Sequence, residues 1–200
     1  MADAKRERRK RRAGDLDPDP AMWEALEQGK LLRAILEDFY GRVYEDARLA
    51  RFFEHVTKGR AIDKQYEFLR DKLLGTRDYF GDRPRNAHHW MVISDELFDY
   101  REALLSTCAR DAGLDERWVA RLRAISERFR KQIVKDAPIP KKVRGRALPL
   151  EGYEDLVLSA GALCDACGEP IEVGDAVRYH VRTGATYCAR CAPTQEAPRS

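Results

Sequence analysis

Between Met22 and Ile133, apolar residues recur at spacings of three and four, and this periodicity constrains the fold of the chain more than any other feature. Such spacing places side chains on one face of an α-helix, whereas a half-buried strand alternates with a period of two. No part of residues 22–135 alternates with period two, so the sequence predicts an all-helical region. The clearest apolar stripe is expected in a helix that ends near Asp46, and it comprises Leu32, Ile35, Leu36, Phe39, Tyr40 and Val43.

Further helices are expected at four places in this region. In the first of these helices, Gln65 stands on an otherwise apolar stripe, and Gly75 follows as a helix terminator. A short helix and two long amphipathic helices come next, and the last of them is expected to be continuous. The expected bounds are about 61–74, 86–92, 95–112 and 116–135.

Composition and charge exclude several classes of protein. Lys plus Arg is 37 and Asp plus Glu is 34, so the net charge of +3 gives no overall field that would indicate a nucleic-acid partner. The longest weakly polar run, residues 156–164, is far shorter than the roughly 20 residues that a membrane helix needs. The basic start of the chain continues into the polar residues 15–20, so we expect no secretory signal and a cytoplasmic location.

The composition predicts two folded domains. Residues 5–12 contain seven cations and no apolar side chain, which is typical of a disordered tail. The expected divisions are a basic tail at 1–20, a helical domain at 21–136, a Pro-rich and basic linker at 137–155, a small β-rich domain at 156–194 and a tail at 195–200.

Four of the five cysteines form two C-x-x-C pairs near the C-terminus. Twenty residues separate the pair Cys164 and Cys167 from the pair Cys188 and Cys191, a spacing typical of a zinc site built from two facing knuckles. Because so short a segment buries little apolar surface, zinc is expected to supply much of its stability. We interpret the module as a zinc-ribbon-like domain with a closed structural site. Thiol redox chemistry and catalytic zinc are the alternatives.

The helical domain contains two adjacent histidines, His88 and His89, among aromatic and polar residues. A histidine in such a place is ordinarily exposed or part of the core, and Tyr40 and Phe53 at helical spacing are ordinarily core aromatics. With the amide of Gln65, however, these side chains form the set that a five-coordinate haem requires when it binds a diatomic ligand.

Several short motifs follow one another between residues 22 and 134. They are Ile35-Leu-Glu-Asp-Phe-Tyr40, Ala47-Arg-Leu-Ala-Arg-Phe-Phe53, Gln65 with Phe68, Tyr79-Phe-Gly81, and Pro84-Arg-Asn-Ala-His88 with Ile93 and Phe98. Their order and separation resemble those of the truncated haemoglobins, most closely the first, N-type group. The resemblance implies a truncated globin-like helical sandwich, so the expected fold class is mainly α with a small β-rich module at the end.

The resemblance also implies that haem b is the cofactor and that His88 ligates its iron. In the family pattern the ligand stands five residues before an Ile and ten before a Phe, which here are Ile93 and Phe98. His89 and His55 are then expected to be exposed and without a role. The other residues that the resemblance places at the haem are Phe53 on its face, Tyr40 and Gln65 as the distal hydrogen-bonding pair, Phe68 and Leu69 as apolar walls, and Tyr79 near the propionates.

Two features depart from the family pattern. Glu27, Gln28 and Gly29 stand where paired glycines are usual at the first interhelical turn, so this turn is expected to differ in shape. Ala61, one helical turn before Gln65, occupies a position that often holds a larger residue. A smaller side chain there implies a more open ligand pocket.

The resemblance implies reversible binding of O2, NO or CO, and it allows oxidation of NO to nitrate. Because no flavin or nicotinamide motif is visible, a separate reductase would have to supply electrons. The alternative is a gas or redox sensor or adaptor whose zinc module and basic segments contact a partner. A protein partner fits better than nucleic acid, because the zinc segment mixes acidic and basic residues. A helical adaptor that has lost haem is the third interpretation.

Overall fold

A computed structural model describes residues 17–76, 78–79, 81–143, 145–159 and 161–193. The chain divides into two compact units. We call them the helical unit, which comprises the described residues up to Gly81 together with Glu96–Lys131, and the second unit, which comprises Asp82–Asp95 together with 132–193. Most of the expected basic tail, and the expected tail at 195–200, lie outside the described residues.

Seven α-helices occur in the described part of the chain, and none of them is long and apolar enough to cross a membrane. Short 3₁₀ turns at Glu27–Gly29 and Ala50–Phe52 flank the second helix. The helices are α1 (Pro20–Ala25), α2 (Lys30–Glu45), α3 (Lys58–Leu74), α4 (Pro84–Ala87), α5 (Asp95–Asp111), α6 (Glu116–Glu127) and α7 (Arg130–Ile133).

The first helix begins with a capping side chain and a proline. Asp19 is the N-cap, and its Oδ1 accepts a hydrogen bond from the backbone N–H of Met22 at 3.1 Å. Pro20 takes the first helical position, where a missing N–H costs nothing. The backbone N–H of Asp19 also donates to the carbonyl of Leu73 at 2.8 Å, which joins the start of α1 to the end of α3.

Helices α2 and α3 pack against each other in the helical unit. All six apolar residues of the predicted α2 stripe are buried, which confirms that helix and its inward face. α3 begins at Lys58, earlier than expected, because Thr57 accepts a hydrogen bond from the backbone N–H of Arg60 at 3.3 Å. It ends at Gly75, as predicted, in the left-handed conformation with φ of +69°.

The expectation of one continuous helix over 116–135 is wrong. α6 ends at Glu127, and the chain resumes as the single turn α7. It does not reach Lys135 as a helix, because Lys135 exchanges backbone hydrogen bonds with Ile93 at 3.0 and 3.2 Å. This pairing fixes Lys135 in an extended conformation.

The short helix expected at 86–92 lies earlier in the chain. Pro84 is favoured at the first position of α4, and the helix ends at Ala87. His88 to Trp90 then form a turn in which the backbone N–H of His89 donates to the carbonyl of Asn86 at 3.3 Å. His88 therefore stands at the C-cap of α4 rather than inside a helix.

The second unit contains short antiparallel strands, as expected for a β-rich module. The strands are β1 (Lys142–Val143), β2 (Arg146–Ala147), β3 (Tyr153–Val157), β4 (Ala162–Leu163), β5 (Pro170–Ile171), β6 (Ala176–His180) and β7 (Thr186–Tyr187). A three-stranded sheet has the order β3-β6-β7 and pairs Leu156 with Val177 and Arg178 with Tyr187. Two hairpin-like pairs, β1-β2 and β4-β5, complete the described strands.

Candidate functional site

Tyr40 of α2 and Gln65 of α3 meet in the interior of the helical unit. The Tyr40 hydroxyl donates a hydrogen bond to Gln65 Oε1 at 2.6 Å. Tyr40 is only 6% exposed, and burial raises the pKa of its phenol to about 12. The phenol therefore stays protonated at neutral pH and acts as a donor. The structure thus brings together two residues that the sequence predicted to act as a pair.

Arg101 of α5 joins this pair, and it was missed in the sequence. Its Nη2 donates to Gln65 Oε1 at 2.9 Å, and its Nη1 forms an ion pair with Glu102. We call Tyr40, Gln65, Arg101 and Glu102 the Gln65 network. A signal existed in the sequence, because Arg101 stands four residues before the buried Leu105 on the inward stripe of its helix. A charged residue on such a stripe indicates a buried polar partner.

Aromatic rings surround the Gln65 network and extend along α3. Phe53 packs edge-to-face on Tyr40 with ring centroids 5.6 Å apart. Phe68 makes the same kind of contact with Tyr79 at 5.4 Å, and neighbouring Leu69 is 4% exposed. A Cβ atom at Gly81 would overlap the Tyr79 ring, which explains the glycine of the Tyr-x-Gly motif. These apolar residues occur where the resemblance expects haem contacts, and their contact with haem stays a prediction.

His88 lies in the second unit, and its backbone neighbours fix its imidazole. Nδ1 lies 2.8 Å from the carbonyl oxygen of Pro84. Because a carbonyl only accepts, Nδ1 must carry the proton, and in the neutral ring Nε2 then carries the lone pair. This tautomer is the one that a metal-ligating histidine needs when a backbone carbonyl orients the ring.

The expectation that His89 is exposed is wrong, whereas His55 is exposed as predicted. His89 is 0% exposed, and its Nε2 donates to the carbonyl of Val181 at 3.2 Å. Burial, followed by the nearby charge of Lys141, lowers the pKa of His89. His89 is buried by residues distant in the chain, such as Val181. The helical periodicity around position 89 therefore could not predict its burial.

Residues beyond α7 hold the segment around His88 from both sides. The Nζ of Lys135 donates to the carbonyl of His88 at 2.6 Å, and the backbone N–H of Ile139 donates to the carbonyl of His89 at 2.8 Å. The guanidinium of Arg182 stacks on Trp90 at 3.7 Å from the ring centroid. The His88 segment, residues 82–95, is thus fixed by contacts within the second unit.

Lys141, in the basic stretch between the prolines, is buried rather than solvated. Its side chain is 1% exposed and its Nζ lies 2.6 Å from a carboxylate oxygen of Asp82. The same ammonium group donates to the hydroxyl of Tyr179 on β6. A buried charge is tolerated only when it is paired in this way, so Lys141 ties the His88 segment to the three-stranded sheet.

The four cysteines of the C-x-x-C pairs converge at one place in the second unit. Their Sγ atoms all lie within 4.8 Å of one another, and those of Cys167 and Cys188 are 4.0 Å apart. Zinc–sulfur bonds of about 2.3 Å in a tetrahedron put sulfur atoms about 3.8 Å apart, so the cluster fits a tetrahedral metal ion. The cysteines are not disulfide-bonded.

Backbone amides and apolar contacts support the cysteine cluster. The N–H of Cys188 donates to the Sγ of Cys164 at 3.4 Å, and this bond and the N–H of Cys167 lower the pKa of the Cys164 thiol. Ile171 and Val177 form a small core beneath Cys164. Gly168, directly after the first knuckle, has a left-handed backbone with φ of +73°. These hydrogen bonds favour the thiolate of Cys164, the form in which cysteine binds metal.

Comparison with known proteins identifies the helical region. The family model described as bacterial-like globin matches residues 21–135. The Group 1 truncated hemoglobin of Tetrahymena thermophila is 24% identical over 112 residues, which are 56% of this chain and 93% of that protein. The Group 1 truncated hemoglobin of Synechocystis is 30% identical over 110 residues, which are 52% of this chain and 88% of that protein.

Solved structures show the same fold. The truncated hemoglobin of Tetrahymena pyriformis in its Fe(III) form superposes with a TM-score of 0.52 at 24% identity and covers 57% of this chain and 98% of that one. The 2/2 hemoglobin of Synechococcus, in the cyanomet state with covalently attached heme, superposes with a TM-score of 0.53 at 23% identity. It covers 56% of this chain and 97% of that one. The resemblance drawn from the motifs is confirmed, and the chain belongs to the bacterial-like globin family.

Proposed function

We propose that the chain is a haem-binding globin that reversibly binds O2 or another diatomic gas, with His88 as the iron ligand. The observation that carries this proposal is the hydrogen bond from His88 Nδ1 to the carbonyl of Pro84 at 2.8 Å. It directs the proton to Nδ1 and makes Nε2 the coordinating nitrogen. Family membership supports the same role, because the match spans residues 21–135 and so includes His88.

The remaining side chains have distinct tasks in this proposal. Haem b supplies an iron that takes O2, NO or CO. Gln65 Nε2 provides a hydrogen-bond donor to a polar ligand, which slows its release, and Tyr40, whose hydroxyl donates to Gln65 Oε1, organises that amide. Phe53, Phe68 and Leu69 provide apolar walls that exclude water and protect the haem, and Tyr79 lies near the propionates.

Absorption spectra of the purified chain, supplied with haem b in ferric, reduced and CO-bound forms, test this function. We expect a strong Soret band that shifts with CO and is lost or altered in His88→Ala. Two controls separate ligation from folding: His55→Ala changes an exposed histidine, and His89→Gln keeps an N–H that can donate to Val181. A colourless wild-type protein, or a His88→Ala spectrum identical to wild type, contradicts the proposal.

We further propose that the protein oxidises NO with the help of an external reductase in the cytoplasm. One NO and one O2 combine with one electron to give nitrate, so each turnover draws an electron that a reductase must return. We expect O2-dependent NO consumption with an added reductase, and slower consumption in Tyr40→Phe and Gln65→Leu. NO consumption that is equally fast without O2 contradicts this activity.

For the cysteine cluster we propose a closed structural zinc site. The four convergent sulfur atoms and the amide hydrogen bond to Cys164 support it. Elemental analysis is expected to find about one zinc per chain, and Cys188→Ser is expected to lose it. Cys108→Ser is the matched control, because Cys108 is buried in the helical unit and is not one of the four clustered cysteines. Full zinc content in Cys188→Ser contradicts the site.

A sensor is the second candidate function, and the contacts around His88 favour it. Lys135 and Ile139, which lie beyond α7, bond to the carbonyls of His88 and His89. A shift of His88 on ligand binding would therefore alter bonds that continue toward the cysteine module. The test compares the iron–histidine stretching frequency with zinc present and with zinc removed. A change in that frequency supports coupling, and an unchanged frequency leaves only the carrier or enzyme function.

A further inference from the structure

We infer that Arg101 is a positioning residue that fixes the amide of Gln65 with its Nε2 group directed at the ligand pocket, and that this makes the site selective for ligands bearing negative charge. The inference rests on the proposed function, because it takes Gln65 as a residue that faces the bound gas.

The donors around Gln65 determine how its amide is oriented. A guanidinium has only N–H donors, so the Gln65 atom that lies 2.9 Å from Arg101 Nη2 must be the carbonyl oxygen Oε1. The hydroxyl of Tyr40 donates to the same oxygen at 2.6 Å. Two donors thus occupy the two lone pairs of Oε1, and the N–H groups of Nε2 are the part of the amide directed elsewhere.

Arg101 is itself held in place from two directions. Its guanidinium forms an ion pair with Glu102, which is 1% exposed, and stacks on the ring of Phe39 at 4.6 Å from the centroid. Burial lowers the pKa of Arg101, but Glu102 and Tyr40 more than offset it, so that the pKa lies above its ordinary value. A permanently charged and rigid donor of this kind prevents the Gln65 amide from rotating.

A fixed amide donor distinguishes among ligands by their charge. Hydrogen bonds to charged acceptors are about twice as strong as those between neutral groups. The Nε2 donor therefore adds most to the binding of an anion or of a gas that gains negative charge when it binds. It adds little for CO, which remains close to neutral.

Loss of Arg101 alone would leave Glu102 as an unpaired buried charge, so the test uses the double variant Arg101→Met with Glu102→Gln. The matched control is Arg110→Met with Glu116→Gln, which removes an exposed Arg–Glu pair of 2.6 Å in the same unit. The full-length proteins carry haem b, and each is first checked for its Soret band. Azide, an anion, is titrated into the ferric form and CO into the ferrous form. Nuclear magnetic resonance of the Gln65 side-chain amide in the CO form reports its mobility.

We expect the Arg101/Glu102 variant to bind azide about tenfold more weakly, as for loss of a hydrogen bond to a charged group. CO affinity is expected to change less than about threefold, and the Gln65 amide to become mobile. Gln65→Leu should weaken azide binding to the same degree, and combining it with the Arg101/Glu102 change should add nothing, because Arg101 acts through Gln65. The exposed-pair control is expected to match wild type.

Azide affinity that is unchanged, that falls together with CO affinity, or that falls further when the variants are combined overturns the inference. A rigid Gln65 amide in the Arg101/Glu102 variant also overturns it. These results leave the proposed function intact, since the Soret band is present in every such protein. A wild-type chain without a Soret band contradicts the proposed function and, with it, this inference.

Discussion

Asp46 shows how one carboxylate organises the junction after α2. It is the C-cap of that helix, and its Oδ1 accepts from the backbone N–H groups of Arg48 at 2.8 Å and Leu49 at 3.0 Å. The hydroxyl of Tyr100 donates to its other oxygen. Burial raises the pKa of Asp46, but these donors outweigh burial, so the pKa lies below its ordinary value.

This lowered pKa predicts a pH dependence of stability. The carboxylate stabilises the folded chain at pH values above the unfolded pKa of about 3.9, and this contribution is lost as the pH falls through the lower folded value. Asp46→Asn is expected to flatten the acid side of the stability curve, measured by urea unfolding at several pH values. Tyr100→Phe should flatten it in part, and an unaltered acid slope in both variants contradicts the assignment.

The sequence predicts a site residue when the role of that residue depends on spacing along the chain. His88, Tyr40 and Gln65 follow from family spacing, and the structure joins Tyr40 to Gln65 and fixes the tautomer of His88. Arg101 and the burial of His89 depend on partners in other segments, Gln65 and Val181. Local pattern alone cannot supply those partners.

The turn between α1 and α2 carries backbone strain. Glu27 and Gln28 have positive φ values of 52° and 53°, and Gly29 follows with φ of 96°. Side chains other than glycine rarely adopt this region, so Glu27 and Gln28 hold a backbone conformation that glycine would take without strain. A Cβ atom at Gly29 would overlap Tyr66 and Trp23.

Gly29→Ala is therefore expected to destabilise the fold by about 2 kcal/mol or more, from strained φ and overlap together. The control is Gly41→Ala, because Gly41 lies inside α2 and a Cβ there meets nothing within 4 Å. It should stabilise by about 0.5–1 kcal/mol through helix propensity. Thermal unfolding followed by circular dichroism compares the two variants. Equal unfolding midpoints for Gly29→Ala and Gly41→Ala contradict the strain at Gly29.

Element boundaries are predictable where their signals are local. Gly75 and the α2 stripe give the end of α3 and the inward face of α2 correctly. The end of α7 is set by the bridge between Lys135 and Ile93, two residues far apart in sequence. A pairing of this kind becomes visible only when the whole fold is known.

The His88 segment belongs to the same compact unit as the cysteine module. Composition changes along the chain near residue 137, because prolines and basic residues become frequent there. Composition reports local character, however, and does not show that Lys141 pairs with Asp82 or that His89 bonds to Val181. Those contacts join residues 82–95 to residues 132–193 within the second unit.

Removing the metal is accordingly expected to loosen the His88 segment as well as the strands. Structural zinc supplies on the order of 10 kcal/mol to small modules, so a chelator should increase amide exchange in β6 and β7 by at least about tenfold. Exchange at Ile93 and Ile139, whose N–H groups are bonded in this unit, should rise with it. Hydrogen exchange by mass spectrometry measures this, and protected amides in 82–95 after chelation contradict the coupling.

We propose that Nε2 of His88 binds the haem iron, and chemical rescue of a His88 variant by imidazole tests this proposal. His88→Gly is supplied with haem b and titrated with imidazole while the Soret band and its response to CO are recorded. We predict a weak or altered band without imidazole and a return to the wild-type spectra as imidazole fills the space left by the side chain. A His88→Gly protein whose spectra match wild type before any imidazole is added would contradict the claim.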